Sequence, residues 1–234
     1  MKMKDKKAEQ IASRQKHMDQ LKARRRTASS FDRPEPFLSE KPTILIVCEG
    51  ENTEPSYFNQ FRLSSATIKP VGEGYNTISL VNRAIQIASQ GSFEQVWCVF
   101  DKDDFSDSDF NNAIIIAEAN NFGVAYSNQA FEYWIIMHFD DHQGGGIHRV
   151  DYSSKINKLL KPYGVKYDGS GSKIITDEIF ELLDGIDDKT RKERKQLAIT
   201  RAERNYHKFD HSNPAKEESS TTVFRLVKEL LKYV

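Results

Sequence analysis

The chain has 234 residues, 38% of them hydrophobic, and its 34 basic and 34 acidic side chains leave no net charge. No apolar run approaches the roughly 20 residues of a membrane-spanning helix, and the first residues lack the apolar segment of a secretory signal. We therefore expect a cytoplasmic protein with no membrane partner. Cys48 and Cys98 lie in strand-like apolar runs, and buried free thiols are expected in a reducing compartment.

Although the net charge of the chain is zero, its N-terminal segment is basic. Residues 1–30 hold ten basic and three acidic side chains, a net charge of +7. Such an arm suits a polyanionic partner, although a solvated tail has the same composition. Residues 1–26 show the sparse apolar pattern of a weak helix, and the prolines after them indicate an extended linker. We assign residues 1–40 to a basic arm and linker.

From residue 41 onwards, strand-like runs alternate with helical patterns. The predicted strands cover residues 43–48, 66–71, 95–100 and 123–127; the predicted helices start at Thr53, as N-cap, and cover 77–89, 110–121 and 130–139. The connections between strands have the length of right-handed crossovers. The pattern predicts a doubly wound, mostly parallel α/β sheet in residues 41–140.

The pattern changes after residue 140, where no further strand is predicted. Helical spacing recurs over residues 153–160, 176–183, 189–208 and 221–233, and two glycine-rich stretches between them are typical of flexible loops. We expect residues 141–234 to form a helical C-terminal part that packs on the core.

Acidic side chains follow two of the predicted strands directly. Glu49 and Glu51 follow the first strand, and Asp101, Asp103 and Asp104 follow the third. Ligands of open parallel sheets bind at the carboxyl ends of the strands, where the strand order reverses. Neighbouring strands would bring Glu49, Asp101 and Asp103 together, and carboxylates suit Mg²⁺ or Mn²⁺. The alternative is that these acids are helix caps and solvated turns.

Four sequence blocks carry a family resemblance. ILIVCEGENTEPSYF, VWCVFDKDD, SNQAFEYWIIMHF and STTVFRLVKEL resemble the RloB family, in the family's order, over about residues 40–234. That family is related to TOPRIM proteins, is associated with phage defence and is often encoded beside an ATPase. The resemblance implies a TOPRIM-like fold in which a strand-end glutamate and an Asp-x-Asp pair bind divalent metal.

The resemblance also implies roles for individual residues. It makes Glu49 a metal ligand or general acid/base, and Asp101 and Asp103 metal ligands. Glu132, an acid on an otherwise apolar helix, is a candidate for catalysis or a second metal, or else forms a salt bridge to the C-terminal helices. Candidates for a second ion, or for contacts behind the first, are Glu51, Glu54 and Asp104.

Basic side chains recur along the predicted helix 189–208. These side chains could form a phosphate-binding surface beside an acidic metal centre. A helix face that is simply exposed to solvent has the same pattern. Three histidines, His138, His142 and His148, flank a glycine loop, and surface positions suit them better than a transition-metal cluster. The nucleic-acid-binding candidates are Lys189, Arg191, Lys192, Arg194, Lys195, Arg201 and Arg204.

Two functional hypotheses follow. The first is a Mg²⁺-dependent (or Mn²⁺-dependent) TOPRIM-type nuclease that hydrolyses phosphodiesters in an anti-phage, abortive-infection system with an ATPase partner. The second is a regulatory subunit that binds metal or a nucleotide without cleavage and docks an ATPase. The target, DNA or RNA with tRNA among the candidates, and the oligomeric state stay open.

Overall fold

The computed structural model describes residues 12–20, 22, 41–70, 77–103 and 105–234. The chain divides into two compact units, residues 1–40 and residues 41–234. In the first unit, residues 12–20 form an exposed helix. Most of the basic arm and Asp104 lie outside the described residues. None of the described helices has the length and apolar character needed to cross a bilayer.

The second unit is built on a four-stranded sheet. Its strands are β1 (Ile44–Cys48), β2 (Ala66–Pro70), β3 (Gln95–Lys102) and β4 (Gly123–Asn128). They are all parallel and lie in the order β2-β1-β3-β4. The predicted doubly wound parallel sheet is thereby confirmed. The chain order reverses between β1 and β3, which makes the carboxyl ends of these two strands the expected ligand-binding position.

Eight helices surround the sheet in the described part of this unit. They are α1 (Thr53–Asn59), α2 (Thr77–Ala88), α3 (Asp107–Ala119), α4 (Glu132–Phe139), α5 (Tyr152–Leu160), α6 (Asp177–Asp184), α7 (Arg194–Tyr206) and α8 (Val223–Leu230). Short 3-10 turns occupy Arg149–Asp151, Lys161–Tyr163 and Pro214–Lys216.

Strand β1 is buried on both faces because helices cover both sides of the sheet. Its residues alternate between two apolar clusters: Leu45 and Val47 pack with α2 and α3, and Ile44, Ile46 and Cys48 pack with α1, α4 and the C-terminal helices. The sequence of such a strand is apolar at every position instead of alternating between apolar and polar residues. Both cysteines are free and buried, as predicted.

The C-terminal part shares the core of the sheet and closes one of its edges. Helix α8 packs on β4, and residues just before it bond to that strand. Thr222 N–H donates to Tyr126 O (2.8 Å), and Asn128 N–H donates to Ser220 O (2.8 Å). At the opposite edge, β2 has five residues and ends on exposed Lys69 and Pro70.

Several predicted helix starts differ from the structure, and local hydrogen bonds explain two of the differences. The helix predicted from residue 189 begins at Arg194, because Thr190 N–H and Oγ1 donate to Asp187 and hold a turn there. The helix predicted from residue 221 begins at Val223, because the preceding threonines bond to β4. Thr53 is the first residue of α1, not its N-cap.

Candidate active site

An open cleft of about 320 Å³ lies at the carboxyl ends of β1 and β3. Both strands were predicted to end in acidic groups, and the cleft brings those groups together. Parallel neighbours end at the same edge of a sheet, which is why residues from distant parts of the sequence meet here. Six acidic side chains line the cleft: Glu49, Glu51, Glu54, Asp101, Asp103 and Glu132.

Glu49 is held against the neighbouring strand. Its backbone N–H donates to Val99 O (2.9 Å), which continues the pairing of β1 with β3 past the end of β1. Its side-chain Oε2 accepts a hydrogen bond from Asp101 N–H (3.0 Å). Burial raises the pKa of Glu49, while that N–H and the charge of Arg149 oppose the rise. Glu51, beyond Gly50, is exposed.

Asp101 lies at the centre of the acidic group. Its Oδ2 accepts a hydrogen bond from Phe131 N–H (3.1 Å), just before α4. Burial raises the pKa of Asp101 well above its usual value, and the charges of Glu54, Glu132 and Glu49 raise it further. The carboxyl group therefore tends to keep its proton when no cation is near.

Glu54 is a buried acid in the first turn of α1, with 5% of its surface exposed. Its carboxylate lies over Gly50, where a Cβ would collide with it, so the glycine allows this close approach. Burial raises the pKa of Glu54 to about 7, and Glu132 and Glu49 add repulsion. Backbone N–H groups of Glu54 itself and Gly50 oppose the rise.

Glu132 faces the cleft from the first turn of α4. Its Oε1 accepts a hydrogen bond from the Tyr167 hydroxyl (2.8 Å), and Tyr167 is buried in the C-terminal part. Burial and the charge of Glu132 raise the pKa of Tyr167, so the hydroxyl stays a donor at neutral pH. Within the described residues, Glu132 thus contacts the C-terminal part through a hydroxyl, and the salt bridge considered from the sequence is not found there.

Asp103 lines the same cleft but has a cationic partner. Arg149, which precedes α5, forms an ion pair with Asp103. The predicted set of Glu49, Asp101 and Asp103 therefore meets in one cleft, with Asp103 neutralised by the C-terminal part. Within the described ranges, no three acidic, histidine or cysteine side chains are arranged as a preformed metal site.

The acidic side chains nevertheless fit a divalent cation by charge and ligand type. Carboxylate oxygens are the ligands that Mg²⁺ and Mn²⁺ prefer. Burial raises the pKa values of Glu49, Glu54 and Asp101, and neighbouring carboxylates raise those of Glu54 and Asp101 further, so a bound cation would favour the ionised forms. Because no three of the described acids are prearranged around one point, binding would require their side chains to rotate.

Two of the predicted phosphate-binding residues are buried, so that interpretation is wrong for them. The Arg194 guanidinium lies over the rings of Phe139 and Tyr163, at 5.1 and 4.8 Å from their centroids. Lys195 pairs with Asp184 (2.5 Å). Both side chains are less than 10% exposed, and they bind α7 to the helices around it.

Two further residues of this set stabilise the fold. Arg201 donates to Met137 O (2.8 Å) and Arg204 to Asp141 Oδ1 (2.8 Å), which links α7 to the end of α4. The predicted basic face is therefore largely an internal one. The remaining members are exposed on the turn before α7: Lys189, Arg191 and Lys192.

The three histidines do not form a cluster of ligands; each has a local partner. His138 is buried with its Nδ1 3.0 Å from Trp134 O, and burial lowers its pKa to about 3. His142 Nδ1 lies 3.0 Å from the Tyr133 hydroxyl. His148 caps the 3-10 turn that follows it and is exposed.

Sequence reasoning missed the residues that the C-terminal part brings to the cleft, Arg149, Tyr167 and Lys173. The glycine-rich stretch before Lys173 was predicted to be a flexible loop, but it is an ordered turn. Asp168 accepts hydrogen bonds from the N–H groups of Gly171 (3.1 Å) and Ser172 (2.9 Å). An aspartate followed by Gly and Ser is itself a turn signal, and could have indicated this.

Comparison with known proteins gives one match. A family model described as RloB-like protein matches residues 44–230. That range contains all four sequence blocks and every acidic residue of the cleft. No curated protein and no solved structure matches the chain. Because the family model covers most of its length, the chain belongs to the RloB-like protein family.

Proposed function

We propose that this protein is a Mg²⁺- or Mn²⁺-dependent nuclease of the TOPRIM type, which hydrolyses phosphodiesters in the cleft at the ends of β1 and β3. The observation that carries the proposal is the meeting of Glu49, Glu54, Asp101 and Glu132 in one cleft. Burial raises the pKa values of Glu54 and Asp101, and the charges of Glu49 and Glu132 raise both further. Repulsion of this kind is found where acids are arranged for a metal or for proton transfer.

Glu49 and Asp101 are the proposed ligands of the ion, with Glu54 and Glu132 beside them. Asp103 can join only when Arg149 leaves it. A bound Mg²⁺ would polarise the scissile phosphate and lower the pKa of a water molecule.

The protein's own groups supply position and proton transfer. Asp101 N–H and the strand pairing fix Glu49 before any substrate arrives. A carboxyl group with a pKa of about 7, as for Glu54, can both take and give a proton near neutral pH. The Tyr167 hydroxyl orients Glu132.

A cleavage screen tests the proposal. Purified protein is incubated with DNA and with total RNA, tRNA included, in Mg²⁺, Mn²⁺ or EDTA, and the new ends are sequenced. We expect cleavage that needs the metal and is lost in Asp101→Asn. Glu118→Gln, an exposed acid on α3, serves as the matched control. Absence of metal-dependent cleavage, alone and with the ATPase partner, would refute the proposal.

A phage-defence role, an ATPase partner and a cytoplasmic location belong to the same proposal, and the first two are what the resemblance to the family implies. Two observations favour one alternative: a non-cleaving regulatory subunit that binds metal or a nucleotide and docks the ATPase. Its support is that Asp103 is occupied by Arg149 and that the described acids form no preformed metal site. Calorimetric binding of Mg²⁺ or nucleotide without turnover would favour this alternative.

A further inference from the structure

Two cationic side chains line the acidic cleft among the described residues, Arg149 and Lys173. Both come from the C-terminal part, on separate loops, whereas the acids lie at or just after the ends of β1 and β3 or in the first turns of α1 and α4. The acidic side chains of the cleft repel an anionic substrate wherever they are ionised. Positively charged side chains that line the same cleft can bind such a substrate.

Arg149 is positioned by neighbouring groups and is half-buried. Its backbone N–H donates to Gln129 Oε1 (3.4 Å). The glycine loop before it is held by Ser219, a fully buried residue whose hydroxyl donates to Gly145 O (3.0 Å). The guanidinium pairs with Asp103, an acid of the cleft itself. A planar guanidinium that matches a carboxylate also matches a phosphate.

Lys173 is presented by the ordered turn that Asp168 caps. Its own N–H donates to Asp168 O (2.9 Å), and its φ of 53° is in the left-handed region. Two residues on, Ile175 N–H donates to Ser56 Oγ (2.8 Å), which fastens the turn to α1. Within the part of the chain that the structure describes, the ammonium forms no ion pair.

The surroundings of the two cations indicate a nucleic acid with unpaired bases. An exposed apolar residue follows each cation: Val150 is 73% exposed and Ile174 is 44% exposed. Phe105 lines the cleft as well. Single-stranded nucleic acids bind where cations meet the backbone and apolar or aromatic surfaces meet the bases. A volume of about 320 Å³ is at the lower end for small-ligand sites, which is room for one nucleotide and not for a duplex.

We propose that Arg149 and Lys173 bind the phosphate of a single-stranded nucleic acid that enters the acidic cleft, and that Arg149 exchanges Asp103 for this phosphate. The inference rests on the proposed function because it concerns the same cleft. It adds the substrate class and the residues that bind the substrate. It also implies that Asp103 can bind the metal ion once the substrate phosphate has taken its place at Arg149.

Binding of a short, labelled single-stranded oligonucleotide, DNA or RNA, tests the inference by fluorescence anisotropy in Ca²⁺, which allows binding to be read without turnover. We expect Arg149→Gln and Lys173→Gln each to weaken Kd about tenfold, as for a lost hydrogen bond to a charged group. Each should also reduce the slope of log K against log salt by about 0.7. Lys166→Gln and Arg83→Gln, exposed cations outside the cleft, should change neither.

A conservative variant separates phosphate binding from a structural role. Arg149→Lys keeps the charge and loses the planar fork, so it should keep the salt slope while weakening Kd. A duplex of the same sequence should compete poorly. Unchanged Kd and slope in both neutral variants, preference for the duplex, or no binding of the wild type would each overturn the inference.

The outcomes also separate this inference from the proposed function. If the wild type cleaves nucleic acid while both neutral variants bind and cleave as it does, the phosphate-binding role is wrong and the nuclease proposal stands. If binding depends on both cations but no cleavage occurs with Mg²⁺ or Mn²⁺, the phosphate-binding role stands and the nuclease proposal is wrong.

Discussion

Replacement of Glu54 by Gln should stabilise the protein above neutral pH. Glu54 is buried beside other carboxylates, so its ionised form is unfavourable in the folded state. Glutamine keeps the size and the oxygen that accepts the backbone hydrogen bonds, and it carries no charge. The change therefore removes the repulsion while leaving the packing over Gly50 in place.

The size of the effect follows from the pKa of Glu54, which burial raises from 4.5 to about 7. An acid whose pKa is raised by folding contributes stability below its unfolded pKa and loses it as pH rises through its folded pKa. Each unit corresponds to about 1.4 kcal/mol. At pH 8 we expect the free energy of unfolding of Glu54→Gln to be about 3 kcal/mol higher than that of the wild type. At pH 4.5 the free energies of unfolding of the wild type and Glu54→Gln should agree within about 0.5 kcal/mol, because Glu54 is then almost fully protonated in the folded protein.

Urea denaturation at pH 4.5 and pH 8, in EDTA, measures the difference. Glu51→Gln is the matched control, because Glu51 lies just before α1, three residues from Glu54, but is exposed. Added Mg²⁺ at pH 8 should stabilise the wild type more than Glu54→Gln, since the ion would neutralise the acid. Parallel stability curves for wild type and Glu54→Gln across this pH range would refute the reasoning.

Three further changes test other parts of the cleft. Glu49→Gln should lower turnover by roughly two to four orders of magnitude. Glu51→Gln should lower it clearly less, because only Glu49 is held by the neighbouring strand. Equal losses of turnover at saturating Mg²⁺ would contradict this. Tyr167→Phe should lower the free energy of unfolding by about 1 kcal/mol, since Glu132 loses its hydrogen bond; an unchanged urea midpoint would contradict it. Gly50→Ala should destabilise by about 1 to 3 kcal/mol through collision with the buried acid of α1, and a wild-type melting temperature would show that the collision is avoided.

The sheet could be predicted from the sequence because its strands are buried on both faces. The run from Ile44 to Cys48 is apolar at every position, and the structure places a strand there. The ends of elements that depend on hydrogen bonds to distant residues were predicted less accurately. Thr221 and Thr222 have the composition of a helix start, yet their hydroxyls bond to β4, which is about a hundred residues earlier.

The acids of the cleft could be predicted for the same reason, since each lies at the end of a strand, just after one, or in the first turn of a helix next to one. The cations could not. Arg149 and Lys173 reach the cleft through loops whose course depends on packing of the C-terminal part. Conversely, Arg194 and Lys195 count as surface charges in a sequence, and only the fold shows the rings and the carboxylates that enclose them.

Both edges of the sheet resist the addition of another strand. An open edge offers unpaired N–H and C=O groups to any extended peptide. Here residues Ser220 to Thr222 already use the outer groups of β4. Strand β2 is short, and it ends on an exposed lysine and on a proline, which has no N–H to donate to a ladder. A protein partner, or a second copy of the chain, should therefore be recognised through helix surfaces or loops. Peptides that inhibit assembly would then be better designed as helices than as β-strand mimics.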